Sequence, residues 1–311
     1  MNHQPRRASV CVVGSINVDT TFGLSHIPRP GETILTLRKS VGAGGKGANQ
    51  AVAAASLGSR VSFIGCIGDD RDGAFALDTL SARGVDVTNI RTLADAATGT
   101  ATVLVAPDGE NVIVVDQGAN GHLDPYAIEA HLSSHEPRVV MAQLETNFDA
   151  VLAAAKNSAS ATFILNPAPM PAEPSAVAEL LQYTDVLVPN RTELARLAGT
   201  EIPSNLADLD RCVGSLHFNG RVIVTLGSEG VAVYEAGSPR RGVLVDPVRV
   251  DAIDTSGAGD AFCGALGHCL ASGDYLHTAV LRANQVAAWS TTAHGAQLDA
   301  EVAAAPVRTT Q

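Results

Sequence analysis

The segment best suited to chemistry is Asp254-Thr255-Ser256-Gly257-Ala258-Gly259-Asp260, followed at once by the apolar stretch Ala261-Phe262-Cys263-Gly264-Ala265-Leu266. Small residues at 257–259, just before an apolar periodic run, leave several backbone N–H groups unpaired at a helix start. Such an end attracts anions. Asp260 then falls in the first helical turn, beside any anion held by those amides, where a hydroxyl attacking a phosphate needs a proton acceptor. An ordinary helix N-terminus with packing glycines and an acidic first-turn residue has the same composition, so these seven residues alone leave both readings open.

A second candidate is Gly42-Ala43-Gly44-Gly45-Lys46-Gly47, which satisfies G-x-G-x-x-G. It follows an expected hairpin rather than the first strand, which runs into Gly14-Ser15-Ile16-Asn17, and Lys46 lacks Walker spacing. Dinucleotide and P-loop folds are therefore excluded. The stretch Gly44 to Asn49 instead opens a helix: its glycines let a ligand approach the backbone, and Lys46 and Asn49 share one face, with Asn49 able to donate and accept to sugar hydroxyls; a tight loop with a capping lysine and asparagine has the same composition. Asn17 and Asp19 alternate onto one face after the first strand, where they suit adjacent hydroxyls or simply form a turn. Asn190-Arg191-Thr192-Glu193 is a helix-capping pattern; the same residues suit a phosphate (Asn190) and a water on Mg²⁺ (Glu193). Thr225-Leu226-Gly227-Ser228-Glu229-Gly230 joins two strands and serves a nucleotide or a plain hairpin equally well. The nine histidines are read as showing no metal-ligand spacing such as H-x₃-H or HExxH, and no G-x-S-x-G elbow occurs, which sets aside zinc and serine hydrolases.

These residues need a scaffold, and the chain reads as alternating strands and helices. Short apolar, β-branched runs at Val10–Val13, Val61–Ile64, Ala101–Val105, Val112–Val115, Val139–Met141, Thr162–Leu165, Val186–Val188, Val222–Thr225 and Val231–Tyr234 predict strands. Helical spacing recurs at Gly47–Leu57, Ala74–Arg83, Ala127–Leu132, Phe148–Lys156, Pro174–Leu181, Glu193–Ala198 and Ala207–Leu216. Such alternation implies a mostly parallel sheet covered on both faces. Two antiparallel pairs interrupt it: Asp19–Leu24 with Glu32–Arg38, and Gly99–Ala106 with Asn111–Gln117 across Pro107-Asp108-Gly109-Glu110. They predict a small lid (about 17–40 and 98–118) on one α/β domain spanning 10–305, after a flexible tail at 1–9.

Composition narrows the function class. The 311 residues are 46% hydrophobic and 17% charged, with no apolar run near the roughly 20 residues of a membrane span. The basic start, Met1 to Arg7, precedes too short an apolar run for a secretory leader. A net charge of −11 without basic runs argues against nucleic acid. Five cysteines (Cys11, Cys66, Cys212, Cys263, Cys269) without C-x-x-C spacing read as reduced thiols in a cytoplasmic protein.

Taken together the motifs resemble the ribokinase/PfkB carbohydrate kinase family. The resemblance rests on Gly44-Gly45-Lys46-Gly47-Ala48-Asn49-Gln50-Ala51-Val52-Ala53-Ala54-Ala55 near the N-terminus and Asp254 to Phe262 near the C-terminus. Between them stand Gly118-Ala119-Asn120, Gln143-Leu144-Glu145, Asn166-Pro167-Ala168-Pro169, Pro189 to Glu193 and Thr225 to Ser228. It implies a ribokinase-like three-layer α/β sandwich with a mostly parallel central sheet and a small antiparallel β lid, which pairs with a second subunit's lid in a homodimer. The implied reaction is ATP-dependent phosphorylation of D-ribose at its 5-hydroxyl, with Asp260 as base and Gly257, Ala258 and Gly259 as the anion hole. Implied sugar contacts are Asn17, Asp19, Gly45, Lys46, Gly47, Ala48, Asn49, Glu145 and Asp260. Implied nucleotide contacts are Asn190, Thr225, Leu226, Gly227, Ser228, Glu229, Gly230, Gly259 and Asn284.

The family also implies Mg²⁺ near Glu193 and a monovalent cation, usually K⁺, held by Asp254, Ser256, Ser290, Ala293, Gly295 and Asp299. One departure affects that set: Leu298-Asp299 stands where the family pattern has Pro-Ser. Kinases of deoxyribose, fructose or a nucleoside share most of these features, since spacing does not reveal the apolar residues that set ring size. A sugar-binding regulator without catalysis would lack the base or the glycines, and neither is missing.

Overall fold

The computed structural model describes residues 8–107, 109–237 and 241–298. A nine-stranded sheet forms the centre. In chain order its strands are β1 (Ser9–Val13), β4 (Arg60–Gly68), β5 (Val85–Leu93), β8 (Val139–Gln143), β9 (Thr162–Asn166), β10 (Val186–Leu187), β11 (Arg221–Thr225), β12 (Val231–Tyr234) and β13 (Val243–Val245). Their spatial order is β13-β12-β11-β10-β9-β8-β1-β4-β5, parallel from β5 to β11, with β12 and β13 added antiparallel. β8 reads Val-Val-Met-Ala-Gln and every residue in it is buried, the mark of a central strand covered on both faces.

Alternation along β1 divides the two layers. Val10 and Val12 pack on one side with α1 (Lys46–Ser56), α2 (Arg71–Ala82), α8 (Ala258–Ser272) and α9 (Leu276–Ser290). Cys11 and Val13 pack on the other with α3 (Pro125–His135), α4 (Phe148–Lys156), α5 (Val177–Leu181), α6 (Arg191–Ala198) and α7 (Leu206–Ser215). This is the expected three-layer sandwich. α8 is buried on nearly every side because it lies between the sheet, α1 and α9.

The small sheet comprises β2 (Asn17–Gly23), β3 (Arg38–Gly44), β6 (Gly99–Val105) and β7 (Asn111–Asp116), ordered β3-β2-β6-β7. Its outer pairs are antiparallel, and β2 runs parallel to β6, which joins the two hairpins. The first hairpin differs from the sequence expectation. Its second strand is not Glu32–Arg38 but Arg38–Gly44, with Gly23 opposite Arg38 and Asn17 opposite Gly44. Gly44 explains the register: a Cβ there would lie 2.6 Å from Asp19 Oδ1, so only glycine passes beside that carboxylate. The glycine motif is thus the end of the hairpin itself.

Other differences are local. β5, β13 and α9 were not expected, and the first part of Pro174–Leu181 is a 3-10 turn, Pro174–Ala176, before α5. Ala8 is buried and Ser9 opens β1, so these two residues belong to the folded domain rather than to the expected tail; residues 1–7 and Asp299 lie outside the described residues. His131 and His135 do share one face of α3 at a spacing of four, but their rings stack 4.1 Å apart. Among the described residues no group of three or more His, Cys, Asp or Glu is placed to hold a metal ion. Among them, too, no helix is long and apolar enough to cross a membrane, and all five cysteines are free and buried.

Candidate active site

The polar ends of parallel strands converge with the starts of α1, α6 and α8, the usual position of a ligand in such sheets. On one side stands Glu145, just past β8 and buried. Its Oε2 accepts from Ser15 Oγ at 2.5 Å, from the Lys46 backbone N–H at 3.1 Å and from Asn17 Nδ2 at 3.5 Å. Asn17 is held in turn by Asn120, whose Nδ2 donates to Asn17 Oδ1 at 2.8 Å. Asp19 lies two residues further along β2, and its Oδ1 is buried without a partner, as is Asn49 Oδ1. Unpartnered buried acceptors in native proteins point to a missing donor, and a sugar hydroxyl is one.

Asp260 sits in the first turn of α8 and is buried. Its Oδ2 accepts from Asn49 Nδ2 at 3.1 Å and its Oδ1 from Gln50 Nε2 at 3.0 Å. Burial lifts its carboxyl above the ordinary value, opposed by Lys46 and by those two amides. Asp19 is pushed up to about 6, by burial first and then by Glu145 and Asp260, with Lys46 opposing. Burial disfavours the Lys46 ammonium, yet Asp260, Glu145 and Glu193 outweigh it and hold Lys46 above its ordinary value. One cation thus balances an acidic cluster drawn from four segments.

Asp260 adjoins an anion cradle. Helical bonding in α8 begins with Ala261 N–H to Gly257 O at 2.8 Å, which leaves the amides of Gly259 and Asp260 without acceptors inside the helix. Gly257 caps the helix at φ 71°, and a Cβ there would lie 2.8 Å from both Cα and C of Ala296. A cavity of about 160 Å³ connects this cradle to Lys46, Asp260, Asn190, Glu193 and Thr225. The sequence candidates from both signatures therefore meet in one space.

The nucleotide-side candidates surround the far end. Asn190 and Glu193 form a full capping box: Asn190 N–H donates to Glu193 Oε2 and Glu193 N–H to Asn190 Oδ1, both at 2.8 Å. Burial raises the Glu193 carboxyl, opposed by that backbone bond and by Lys46. Asn190 bridges to Thr225, from which Leu226 leads into the 3-10 turn Gly227–Glu229, Ser228 included, and then Gly230. Val231 pairs with Val245, and Asn284 of α9 donates to Asp246 O at 2.8 Å, which ties that helix to the same end. Of these residues Asn190, Glu193 and Thr225 line the cavity with Asp260; the 226–230 turn and Asn284 stand outside it.

Of the residues implied for a monovalent cation, Asp254, Ser256 and Gly295 come together, and Asp299 lies outside the described residues. Asp254 Oδ1 accepts from Ser256 N–H at 2.9 Å and Oδ2 from Gly295 N–H at 3.0 Å. Burial would raise this carboxyl, but those bonds prevail and hold it below the ordinary carboxylate value. Ile253 and Asp254 amides donate to Thr291 O, so the 253–257 loop lies against the 290–297 loop, which carries Ser290, Ala293 and Gly295.

Sequence reading gave no role to the polar residues that hold the named ones, Ser15, Gln50, Asn120, Gln143 and Asn166, although the last four stand in the motifs quoted above. Ser15 follows β1, Gln143 ends β8 and Asn166 ends β9, and polar side chains at the carboxyl ends of parallel strands were the available signal.

The comparisons agree with this geometry. A family model described as pfkB family carbohydrate kinase matches residues 7–303. A ribokinase of Haemophilus influenzae is 36% identical over 298 residues, 94% of each chain. A deoxyribokinase of Salmonella typhi is 34% identical, covering 93% of this chain and 94% of its own. A ribokinase of Arabidopsis thaliana, solved with ribose and ATP, superposes with a TM-score of 0.79 at 28% identity, covering 96% of this chain and 97% of that one. A match along nearly its whole length, with both signatures meeting at Asp260, makes this chain a member of the pfkB family of carbohydrate kinases.

Proposed function

We propose that this chain transfers the γ-phosphoryl group of ATP to the 5-hydroxyl of D-ribose, giving ribose 5-phosphate and ADP. The carrying observation is a buried carboxylate beside unpaired helix-start amides, opening on the cavity that also holds Lys46 and Glu193. Asn17, Asp19, Asn49 and Glu145, with the backbone at Gly45, Gly47 and Ala48, hold the sugar. Asp19 Oδ1 and Asn49 Oδ1 accept from its hydroxyls. Asp260 takes the proton of the attacking hydroxyl as the new O–P bond forms, the bond from the γ-phosphorus to its bridging oxygen breaks, and ADP departs. Amides at Gly257, Gly259 and Ala258, the last on release from Thr255 O, to which it donates at 3.3 Å, and the Lys46 ammonium stabilise charge on the transferring group.

Asn190, Thr225, Leu226, Gly227, Ser228, Glu229, Gly230 and Asn284 hold the nucleotide. The Glu193 oxygens each accept one bond from Asn190 and keep further lone pairs, a donor set that fits a water of Mg²⁺. When bound, Mg²⁺ neutralises phosphate charge. Asp254, Ser256, Ser290, Ala293 and Gly295 fit K⁺, because the two loops that carry them press together behind Gly257, where no Cβ is admitted. The small sheet serves as the lid, and Val112, Ile113, Val114 and Val115 of β7, all exposed, form the surface on which a second subunit's lid pairs. Free buried thiols suit the reducing cytoplasm, where ATP is made.

The test is a coupled ADP-release assay with ribose, deoxyribose, fructose and adenosine, each with and without K⁺. Ribose is expected to give the highest kcat/KM, and omission of K⁺ to lower kcat. Strong preference for another acceptor overturns the substrate assignment, and full activity without a monovalent cation overturns the K⁺ assignment.

A further inference from the structure

Gln50 has no assigned role, yet every polar hydrogen and its carbonyl oxygen are engaged. It lies on α1, one residue beyond Asn49, and is buried. Its Nε2 donates to Asp260 Oδ1 at 3.0 Å and to Asn166 Oδ1 at 3.3 Å. Its Oε1 accepts from Gln143 Nε2 at 2.7 Å. Asn166 is anchored in turn through Nδ2 to Val188 O at 2.9 Å. Both N–H groups of the Gln50 amide are thus spent within the protein, its oxygen is turned to Gln143, and Gln50 does not line the cavity.

The direction of this chain follows from the charge it meets. An ionised Asp260 accepts only, so Gln50 must turn its NH₂ toward the carboxylate and its oxygen away. Gln143 must then present its own NH₂ to Gln50. The consequence is visible at the far end, where Gln143 Oε1 is buried with no partner. An orphaned acceptor in the core is unfavourable, and a hydrophobic pair of the same size would avoid it. The arrangement therefore favours something other than stability: a carboxylate with one oxygen pinned by Gln50 and the other by Asn49 cannot swing away from the cradle at the α8 start.

Resting on the reading of Asp260 as the base, we infer that Gln50 and Gln143 are positioning residues for it, Gln50 by direct contact and Gln143 by fixing the orientation of the Gln50 amide. The step they support is the transfer of the sugar hydroxyl proton to Asp260. They touch neither substrate, so they act on kcat and leave both KM values near wild type.

The experiment compares Gln50→Met, Gln143→Met, the double variant and Asp260→Asn by steady-state kinetics with ribose and ATP, with thermal midpoints alongside. Methionine keeps volume and shape while removing the amide. Gln50→Met is expected to lower kcat about ten- to a hundredfold, the range for a lost hydrogen bond to a buried charge. Gln143→Met should lower it less, and the double variant should match Gln50→Met, because Gln143 works only through Gln50. Effects on kcat that multiply in the double variant, or losses that appear in the KM values instead, overturn the inference. Should Gln50→Met fail to fold, unchanged kcat in Gln143→Met overturns it alone. Near-normal turnover by Asp260→Asn refutes the base assignment instead, which separates the two failures.

Discussion

Gly257 carries the sharpest prediction, since its conformation is set by two loops at once. It caps α8 at φ 71°, and an added Cβ would stand 2.8 Å from both Cα and C of Ala296, with the Ala296 carbonyl oxygen closer still. In Gly257→Ala the left-handed backbone costs about 1–2 kcal/mol. The 290–297 loop must also withdraw by roughly 1 Å to restore van der Waals distance. That loop accepts the Ile253 and Asp254 amides at Thr291 O and donates Gly295 N–H to Asp254, so the shift reaches the anion cradle and the residues proposed to hold K⁺ together. A misplacement of about 1 Å lowers turnover by about a hundredfold, and a loss of about 2 kcal/mol lowers the thermal midpoint by roughly 5 °C. Gly259→Ala is the control, because no atom lies within 4 Å of its Cβ position and its φ is ordinary. It should keep the midpoint and lose turnover only where the new methyl enters phosphate space. Kinetics by ADP release, with K⁺ titrated for each variant, make the comparison; Gly257→Ala with wild-type kcat and unaltered K⁺ dependence refutes the reasoning.

Three further outcomes follow from the same geometry. Asp19, pushed up to about 6, makes charge-assisted bonds to sugar hydroxyls through both oxygens only when ionised, so KM for ribose should climb as pH falls through about 6 while KM for ATP stays level; a flat ribose KM across that range contradicts it. The same raised value means that burying this group favours folding below its unfolded value and that the contribution is lost as pH rises through about 6. Asp19→Asn should therefore raise the thermal midpoint above that pH, measured by calorimetry, while weakening ribose binding at least tenfold, the order for a lost hydrogen bond to a charged group. If the proposed lid-to-lid dimer forms, the wild type should sediment as a dimer and Ile113→Lys on the exposed β7 as a monomer; a wild-type monomer or an unchanged mass in the variant would remove β7 as an interface.

Much of the fold was legible because local pattern and tertiary role coincide. β8 and β11 are continuous apolar runs bounded by polar residues, and parallel central strands look like that in any sequence. β5 was not legible: it alternates exposed and half-buried residues at a sheet edge, with Asp86, Asn89 and Arg91 interrupting the apolar pattern. β3 was misplaced for a related reason. Leu35 and Leu37 look strand-like but are exposed, while the glycine-rich strand end is selected by its neighbour Asp19 rather than by its own propensity. At the site, the charged and glycine positions stood out because few residue types suit them. Gln50, Gln143 and Asn120 did not, since a buried amide acquires meaning only from partners more than ninety residues away in the chain.

The central claim is that Asp260 accepts the proton of the attacking hydroxyl, and Asp260→Asn tests it most directly. The substitution keeps size and burial while removing the basic oxygen. Ribose binding by titration calorimetry should persist and ADP release should fall about a thousandfold, within the range for a lost general base. Turnover near wild type by that variant, with ribose bound, would contradict the account.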